Sequence, residues 1–350
     1  MSAKKHKLRV GVLGASFGGM VHVPAFAAQG RFEVVAIASP NRAAEVAKAR
    51  KIPKAYATLD EMLADSELDV LSVATPPFEH RGPVIAALQR GLHVLCEKPF
   101  GLNVAEAEEM LNASRVAGTV CAIAHEFRYV PSRIAVRELV ANAHLGPLRA
   151  LEVLWFSAML HDAGSRPNSW WFERSHGGGV TGAILSHLVD QANWIAGRAP
   201  RRATGYERTA IAKRHSGGTS FTSDVADGSF ATIDYADGLI ATVTADGTRA
   251  VESSTLAAHG AERTAVSSGD NILSSRTFVV DAKETSELEV VAQAHENLRA
   301  AHGNLPPFVT MLDAFAEAID GKTVELPTFQ DGLNTQRVLA AIGYEVPSLA

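Results

Sequence analysis

The fold is decided by residues 8–19, LRVGVLGASFGG, in which an apolar strand runs straight into a glycine-rich turn. Short apolar runs with helical patterns between them recur along the first third of the chain, at 34–38, 70–74, 93–96 and 120–124. Near-continuous Val, Ile and Leu is typical of parallel strands that are covered on both faces. The alternation of these strands with helices predicts an α/β fold, a doubly wound parallel sheet, over residues 1–125.

Residues 126–350 have a different pattern and predict a second domain. Strands are predicted at 148–160, 203–212, 228–235 and 239–244, with a helix at 180–196. Asp237-Gly238 between the last two strands is a hairpin signal, and strands without intervening helices indicate an antiparallel or mixed sheet. Helical patterns follow at 308–319 and 331–342, and we expect the second of them to pack back on the first domain.

The composition excludes several classes of protein. A length of 350 residues favours two domains, and 47% hydrophobic with 20% charged residues is ordinary for a soluble globular protein. The net charge of −5 gives no reason to expect nucleic acid or an anionic membrane as partner. No stretch approaches the ~20 apolar residues that a membrane span needs. Cys96 and Cys121 lie in predicted strands and fit a reducing compartment. We therefore expect a cytoplasmic enzyme.

The glycine-rich turn resembles a dinucleotide-binding turn. Gly14 and Gly19 fit the pattern G-x-G-x-x-G, but Ser16 holds the middle position, where its hydroxyl is either tolerated or donates to a phosphate. Backbone N–H groups at the start of the following helix favour an anion such as a pyrophosphate. The alternative is an ordinary tight strand-to-helix turn. We predict cofactor contacts from Gly14, Ser16, Phe17, Gly18 and Gly19.

The end of the second predicted strand bears on the choice of cofactor. Ser39 lies twenty residues after Gly19, where NAD-specific folds place an acid that binds the ribose 2′-hydroxyl. Neutral Ser39 and Asn41 with cationic Arg42 suit the 2′-phosphate of NADP(H), so we predict a preference for NADP(H), with NAD(H) as the alternative. The other interpretation is that Asn41 caps the next helix and Arg42 is solvated.

Two further strand ends carry candidate residues. Thr75 and Pro76 follow the third strand, where we expect contacts to the nicotinamide half of the cofactor; His80 is a candidate as well, or only covers a helix start. Glu97 and Lys98 follow the fourth. Oxidation of a secondary alcohol removes a hydride and a proton, and an amine beside a cationic nicotinamide has its ammonium form disfavoured. Lys98 is therefore the predicted proton carrier, and all five residues are predicted to line the cofactor site.

The second domain supplies candidates for substrate binding. His187 and Asp190 are three residues apart, hence on one helical face, and the preceding glycines 177–179 would let that helix reach a cleft between the domains. A structural role for the histidine is the alternative. The aromatic run 170–172 suits the C–H faces of a sugar or forms a hydrophobic plug. The predicted substrate-binding residues are Lys98, Arg128, Tyr129, Trp170, His187 and Asp190.

These residues resemble one known family over essentially the whole chain, the glucose–fructose oxidoreductase, inositol dehydrogenase and MocA family. The matching pieces are Gly14–Gly19 with His22 and Pro24, Thr75-Pro76-Pro77 with His80, Glu97-Lys98-Pro99, Arg128, Gly178-Gly179 with His187 and Asp190, and residues 329–333. The resemblance implies a Rossmann domain followed by an α/β domain with a large, mostly antiparallel open sheet that supports homodimers or homotetramers. It also implies hydride transfer with sugars, cyclitols or related polyols, with Lys98 and His187 as catalytic residues and no metal.

The chain departs from the family pattern at two positions. Ala183 stands where the family commonly has an aspartate four residues before the histidine, and Leu185 replaces a usual glycine. The resemblance therefore leaves two alternatives to a dehydrogenase. One is a glycosidase that oxidises and re-reduces its substrate with a tightly held NAD, and the other is a non-catalytic dinucleotide sensor or subunit. Retention of Lys98 and His187 argues against the sensor.

Overall fold

The computed structural model describes residues 6–348, which form two compact units. Unit 1 comprises the chain up to Phe100 together with Ala105–Glu126 and Gln293–Gln330. Unit 2 comprises Gly101–Val104, Phe127–Ala292 and the chain from Asp331 onward. Each unit is therefore assembled from stretches that lie far apart in the sequence.

A six-stranded sheet forms the centre of unit 1. Its strands are β1 (Leu8–Leu13), β2 (Phe32–Ala38), β3 (Lys54–Tyr56), β4 (Val70–Val73), β5 (His93–Cys96) and β6 (Cys121–Ile123). They are arranged in the order β3-β2-β1-β4-β5-β6, and every neighbouring pair is parallel. This is a doubly wound order, which reverses direction between β1 and β4. The predicted doubly wound parallel sheet is confirmed.

The helices of the chain are mostly short. They are α1 (Val23–Gln29), α2 (Ala43–Arg50), α3 (Leu59–Asp65), α4 (Arg81–Gln89), α5 (Val104–Ala117), α6 (Pro131–Ala141), α7 (Ser186–Ala196), α8 (Leu305–Ile319) and α9 (Phe329–Ala341). Within unit 1, α8 packs against α1, the Gln29 amide donates to Asp313 at 3.1 Å, and Phe315 stacks on Phe32. Among residues 6–348, none of the helices is both long and apolar enough to cross a membrane.

Unit 2 is built on an eight-stranded sheet. Its strands are β7 (Leu148–Phe156), β8 (Arg202–Arg208), β11 (Gly228–Asp234), β12 (Ile240–Asp246), β13 (Ser253–Gly260), β14 (Thr264–Gly269), β15 (Arg276–Val280) and β16 (Thr285–Leu288), while β9 (Lys213–Ser216) and β10 (Thr219–Thr222) form a separate hairpin. The order is β16-β15-β14-β13-β7-β12-β11-β8, with only the β7–β12 pair parallel. The expected large, mostly antiparallel sheet is confirmed.

The hairpin between β11 and β12 has the turn that its sequence predicts. Asp237 and Gly238 both have positive φ, 65° and 78°, as a type I′ turn requires. Two predicted strands are too long, since the first ends at Phe156 instead of residue 160 and the second at Arg208 instead of residue 212. An apolar run is therefore a good guide to where a strand lies and a poor guide to where it ends.

A buried arginine lies between α6 and the sheet of unit 2. Arg133 is fully buried, and its Nη2 donates to Ser254 Oγ on β13 at 2.7 Å. Its Nε and Nη1 atoms have no hydrogen-bond partner among the described residues. Burial alone shifts the titration of this group, lowering the pKa of Arg133 to about 9. The guanidinium is therefore held in the core without a carboxylate.

We predict that Arg133→Met stabilises the protein. Methionine keeps the length of the side chain and removes a buried charge that has one neutral partner, so the free energy of unfolding should rise by about 1 kcal/mol or more in urea titrations. The exposed Arg90 is the matched control, and Arg90→Met should stay within about 0.5 kcal/mol of the parent. A loss of stability in Arg133→Met larger than that of Arg90→Met would show that the buried guanidinium stabilises the fold.

Candidate functional site

The glycine-rich turn lies where the direction of the unit 1 sheet reverses. Gly14 directly follows β1 with φ of 104°, and a Cβ there would lie 2.5 Å from the carbonyl oxygen of Ala74, which follows β4. A Cβ at Gly19 would lie 2.9 Å from Val46 Cγ1 of α2. Glycine is therefore required at both positions for the close approach of backbone and helix. In doubly wound sheets, ligands bind at this reversal, outside the carboxyl ends of the strands.

Two predicted cofactor residues from different loops meet beside this turn. Ser16 and Arg42 are exposed, and Arg42 Nη1 lies 3.4 Å from Ser16 Oγ. Ser39 is half-buried, Asn41 is exposed, and the residue that precedes α2 is Arg42, so Asn41 does not cap that helix. Phe17 is half-buried, and Gly18 begins a π-helical turn, Gly18–His22, that continues into α1. A hydroxyl, a guanidinium and a helix start at one sheet edge fit the phosphates of a dinucleotide.

A chain of buried hydrogen bonds fixes Glu97 at the end of β5. His22 is fully buried, with Nε2 at 3.0 Å from Glu97 Oε1 and Nδ1 at 2.7 Å from Ser72 Oγ. Because Glu97 is ionised, the ring donates from Nε2 to its carboxylate, and Nδ1 is hydrogen-bonded with the Ser72 hydroxyl. Burial works to raise the pKa of Glu97, but the His22 hydrogen bond and the Lys98 charge outweigh it, and this pKa lies below its ordinary value. Glu97 is a buried carboxylate.

Lys98 is half-buried directly after this carboxylate. Its backbone N–H donates to Glu97 Oε2 at 3.2 Å, and the Lys98–Pro99 peptide bond is cis. The fully buried His80 connects this loop to the one after β4. Its Nδ1 lies 3.1 Å from the Pro99 carbonyl oxygen, and its Nε2 lies 2.9 Å from that of Thr75. Both ring nitrogens of His80 thus face backbone, while Thr75 and Pro76 are half-buried beside it.

Two residues that sequence reasoning missed complete the site in unit 1. Glu126 follows β6 and is 1% exposed, and the side-chain amide of Asn304 donates to its Oε1 at 3.0 Å. Burial, and next the negative charge of Glu97, raise the pKa of Glu126 to about 8 against the opposing charge of Lys98. Nothing local in the sequence indicates this pair, because 178 residues separate its members. A neutral carboxyl therefore stands beside an ionised one at neutral pH.

In unit 2, Arg128 and Asp190 form a buried pair. Arg128 Nε and Nη2 donate to the two carboxylate oxygens of Asp190 at 2.7 and 2.5 Å, and Asp190 is 1% exposed. Asp331 adds a second, longer contact to Arg128 at 3.3 Å. Burial raises the pKa of Asp190 to about 6, although the Arg128 guanidinium opposes the shift. At neutral pH the two groups are a bidentate ion pair.

The other predicted residues of unit 2 have different surroundings. His187 is buried on α7 and stacks on Phe127, with 4.3 Å between ring centroids. Trp171 and Phe172 belong to the core of unit 2, whereas Trp170 is 37% exposed. Tyr129 is half-buried. Two rings of the aromatic run 170–172 therefore pack in the core of unit 2, and the Trp170 ring is partly accessible to solvent.

We predict that Asp190→Asn destabilises unit 2 strongly. Among residues 6–348, the change leaves the buried Arg128 charge with the longer Asp331 contact as its carboxylate partner, so the free energy of unfolding should fall by about 3–5 kcal/mol. Asp331→Asn removes a partly exposed partner and should cost about 1 kcal/mol or less. All four tryptophans, at 155, 170, 171 and 194, lie in unit 2, so tryptophan fluorescence in urea follows the relevant transition. Equal losses of unfolding free energy in Asp190→Asn and Asp331→Asn would refute the assignment of Asp190 as the main partner of the buried Arg128 charge.

Comparison with known proteins identifies both halves of the chain. Residues 8–125 match the model of an oxidoreductase family with an NAD-binding Rossmann fold, and residues 134–266 match that of the GFO/IDH/MocA C-terminal domain. An uncharacterized oxidoreductase of Synechocystis sp. is 35% identical over 218 residues, 60% of this chain and 57% of that protein. Levoglucosan dehydrogenase of Pseudarthrobacter phenanthrenivorans is 28% identical over 201 residues, which are 54% of this chain and 51% of that protein. The chain spans just over half the length of these curated relatives.

A solved structure shares the fold. Levoglucosan dehydrogenase in complex with NADH and levoglucosan matches with a TM-score of 0.83 over 97% of each chain, at 23% sequence identity. The likeness at that identity shows the fold alone, whereas the two family models rest on the sequence of each half. This chain belongs to the GFO/IDH/MocA family of oxidoreductases.

Proposed function

We propose that this protein is a dehydrogenase or reductase that transfers a hydride between NADP(H) and a secondary carbinol or carbonyl carbon of a sugar, cyclitol or related polyol. The observation that carries the proposal is the Glu97–Lys98 pair, which stands at the carboxyl edge of the sheet that also carries the Gly14 turn. Relatives with the names of a levoglucosan dehydrogenase, a dihydrodiol dehydrogenase and an anhydrofructose reductase support the substrate class.

The proposed cofactor residues divide by the part of the dinucleotide that each would hold. The turn at Gly14–Gly19 and the start of α1 would hold the pyrophosphate. Ser16, Ser39, Asn41 and Arg42 would surround the ribose phosphate, because they offer neutral donors and one cation and no carboxylate. The loop at Thr75-Pro76 would face the nicotinamide half. A bound nicotinamide supplies the hydride in reduction and accepts it in oxidation.

Lys98 would move the proton that accompanies the hydride. In reduction its ammonium donates to the substrate oxygen, and in oxidation its neutral amine accepts the hydroxyl proton. We propose His187 as a further catalytic residue and Arg128, Tyr129 and Trp170 as substrate-binding residues. Both Asp190 oxygens are engaged by Arg128, so we propose that Asp190 acts by positioning that guanidinium.

We predict that Lys98→Met abolishes most turnover and leaves cofactor binding intact. Methionine keeps the apolar stem and removes the amine, and acid–base groups typically contribute about 10²- to 10⁴-fold. The assay follows nicotinamide absorbance in single turnovers, with the substrate found by screening sugars, cyclitols and dicarbonyls with both cofactors. The single-turnover rate of His187→Ala should fall as much as that of Lys98→Met if the histidine transfers the proton, and less if it only positions the substrate. A near-parent rate in Lys98→Met would refute the proposed proton route.

We predict tighter binding of NADPH than of NADH, with Ser39→Asp narrowing or reversing the difference. A carboxylate at position 39 would repel a 2′-phosphate and accept from a 2′-hydroxyl, a change of about 1.5–3 kcal/mol, or roughly 10- to 100-fold in the ratio of dissociation constants. Fluorescence titration with each cofactor measures the ratio. Ser39→Asn has the same shape as the aspartate without the charge and should keep the parent preference. Equal affinities in the parent would contradict the prediction.

A further inference from the structure

The carboxyl group of Glu126 is not accounted for by the roles assigned above. It lies after β6, which is the parallel neighbour of β5, so Glu126 and Lys98 leave the sheet at adjacent positions of the same edge. The positive charge of Lys98 lowers the pKa of the Glu126 carboxyl, so the two side chains are near enough to interact. The site therefore holds an additional acid beside its predicted proton carrier.

One oxygen of this carboxyl has unused hydrogen-bonding capacity. Glu126 Oε1 accepts from Asn304, whereas Oε2 is shielded from solvent and has no hydrogen-bond partner among residues 6–348. A buried carboxylate oxygen without a donor is costly, and in its place a protonated oxygen can donate. The arrangement therefore favours a neutral acid whose proton is available to a neighbouring base.

The neighbouring carboxyl has the opposite environment. Glu97 receives hydrogen bonds from His22 and from the Lys98 backbone, which favour its ionised form. Glu126 interacts with the Asn304 amide and with its own backbone N–H, which do not offset burial, and the charged groups that act on it are Glu97 and Lys98. Adjacent titratable groups that their surroundings drive to opposite protonation states are the usual mark of a working acid–base pair.

We propose that Glu126 is a positioning residue for the transferred proton, which it exchanges with the side-chain amine of Lys98. This inference rests on the proposed function. In reduction, the Lys98 ammonium donates its proton to the substrate oxygen as the hydride reaches the carbon, and the Glu126 acid then restores the ammonium and is itself reprotonated from solvent. In oxidation, the Glu126 carboxylate first takes a proton from the ammonium, and the freed amine accepts the hydroxyl proton as the hydride leaves; the Glu126 acid then releases its proton to solvent.

The exchange sets a direction for the pH dependence. Oxidation needs the Glu126 carboxylate and reduction needs its acid, and the pKa of this group lies near 8. The single-turnover rate of oxidation should therefore rise through about pH 8, and the steady-state rate of reduction, which includes the reprotonation of Lys98, should fall. Glu97 stays ionised across this range, so it contributes no step to the profile.

Glu126→Gln tests the exchange because it keeps the shape and the Asn304 contact and removes the proton. We expect a loss of roughly tenfold in hydride transfer and a profile without the step near pH 8. Asn304→Leu removes a donor that favours the carboxylate, so the step should move upward by about one pH unit or less. Glu33, exposed in the same unit, is the control, and Glu33→Gln should keep the parent profile.

A measurement without turnover separates this inference from the proposed function. With ¹³C in the glutamate δ-carboxyl groups, the parent should show one resonance that titrates near pH 8 and that Glu126→Gln lacks. If the parent protein turns over substrate and Glu126→Gln keeps the step in rate near pH 8, the inference is wrong and the proposed function is unaffected. A parent with the titrating carboxyl and no nicotinamide turnover overturns the function and the inference with it. Absence of that resonance in the parent overturns the inference alone.

Discussion

The hydrogen bond from His22 to Glu97 is the contact on which the rest of the unit 1 site depends. It joins the helical turn Gly18–His22 to the end of β5, and the Ser72 hydroxyl holds the other ring nitrogen of His22. Because the imidazole donates to it, a buried carboxylate can remain ionised beside Lys98. The same negative charge then acts on Glu126 and helps to keep that carboxyl neutral. One buried contact thus bears on the charge of both Glu97 and Glu126.

The two units treat buried charge in different ways. In unit 1 the buried carboxylate of Glu97 is held by the His22 ring and the Lys98 backbone N–H, next to a Glu126 carboxyl whose raised pKa suits a site that must change protonation during each cycle. In unit 2, both Asp190 oxygens accept hydrogen bonds from the Arg128 guanidinium. Because this group stays charged at any working pH, the pair fixes the positions of the two side chains and exchanges no proton. The family-typical acid is absent at Ala183, so proton exchange would depend on unit 1.

The sequence predicted the parts of this site that depend on local pattern. The bounds of β1 and β5, the turn at Gly14 and the hairpin at Asp237-Gly238 follow from apolar runs and glycine positions that act over a few residues. The edge strand β3 was missed because it has three residues, two of them exposed. Strands β13–β16 were missed because serine, threonine and glycine interrupt their apolar patterns.

Other features of the site arise only from tertiary contact. Asn304 reaches Glu126 because α8 packs on α1 in unit 1, and no spacing in the sequence reports that return. The burial of Glu126 and the internal orientation of His80 likewise depend on neighbouring strands. The family resemblance predicts Lys98 and His187 as catalytic residues without these contacts, since it rests on motifs and not on packing. Motifs therefore predict the candidate catalytic residues, and the structure adds the buried groups that contact them in unit 1.

The fate of the hydride distinguishes the proposed reaction from its alternatives more directly than any other observable. The protein would be incubated with reduced cofactor carrying deuterium at the transferable C4 position and with carbonyl forms of sugars and cyclitols, and the products analysed by mass spectrometry. We expect one deuterium on the new carbinol carbon, with the label formed far more slowly in Lys98→Met. Reduced products that carry no deuterium, or labelled product formed equally fast without the Lys98 amine, would contradict the proposed hydride and proton transfer.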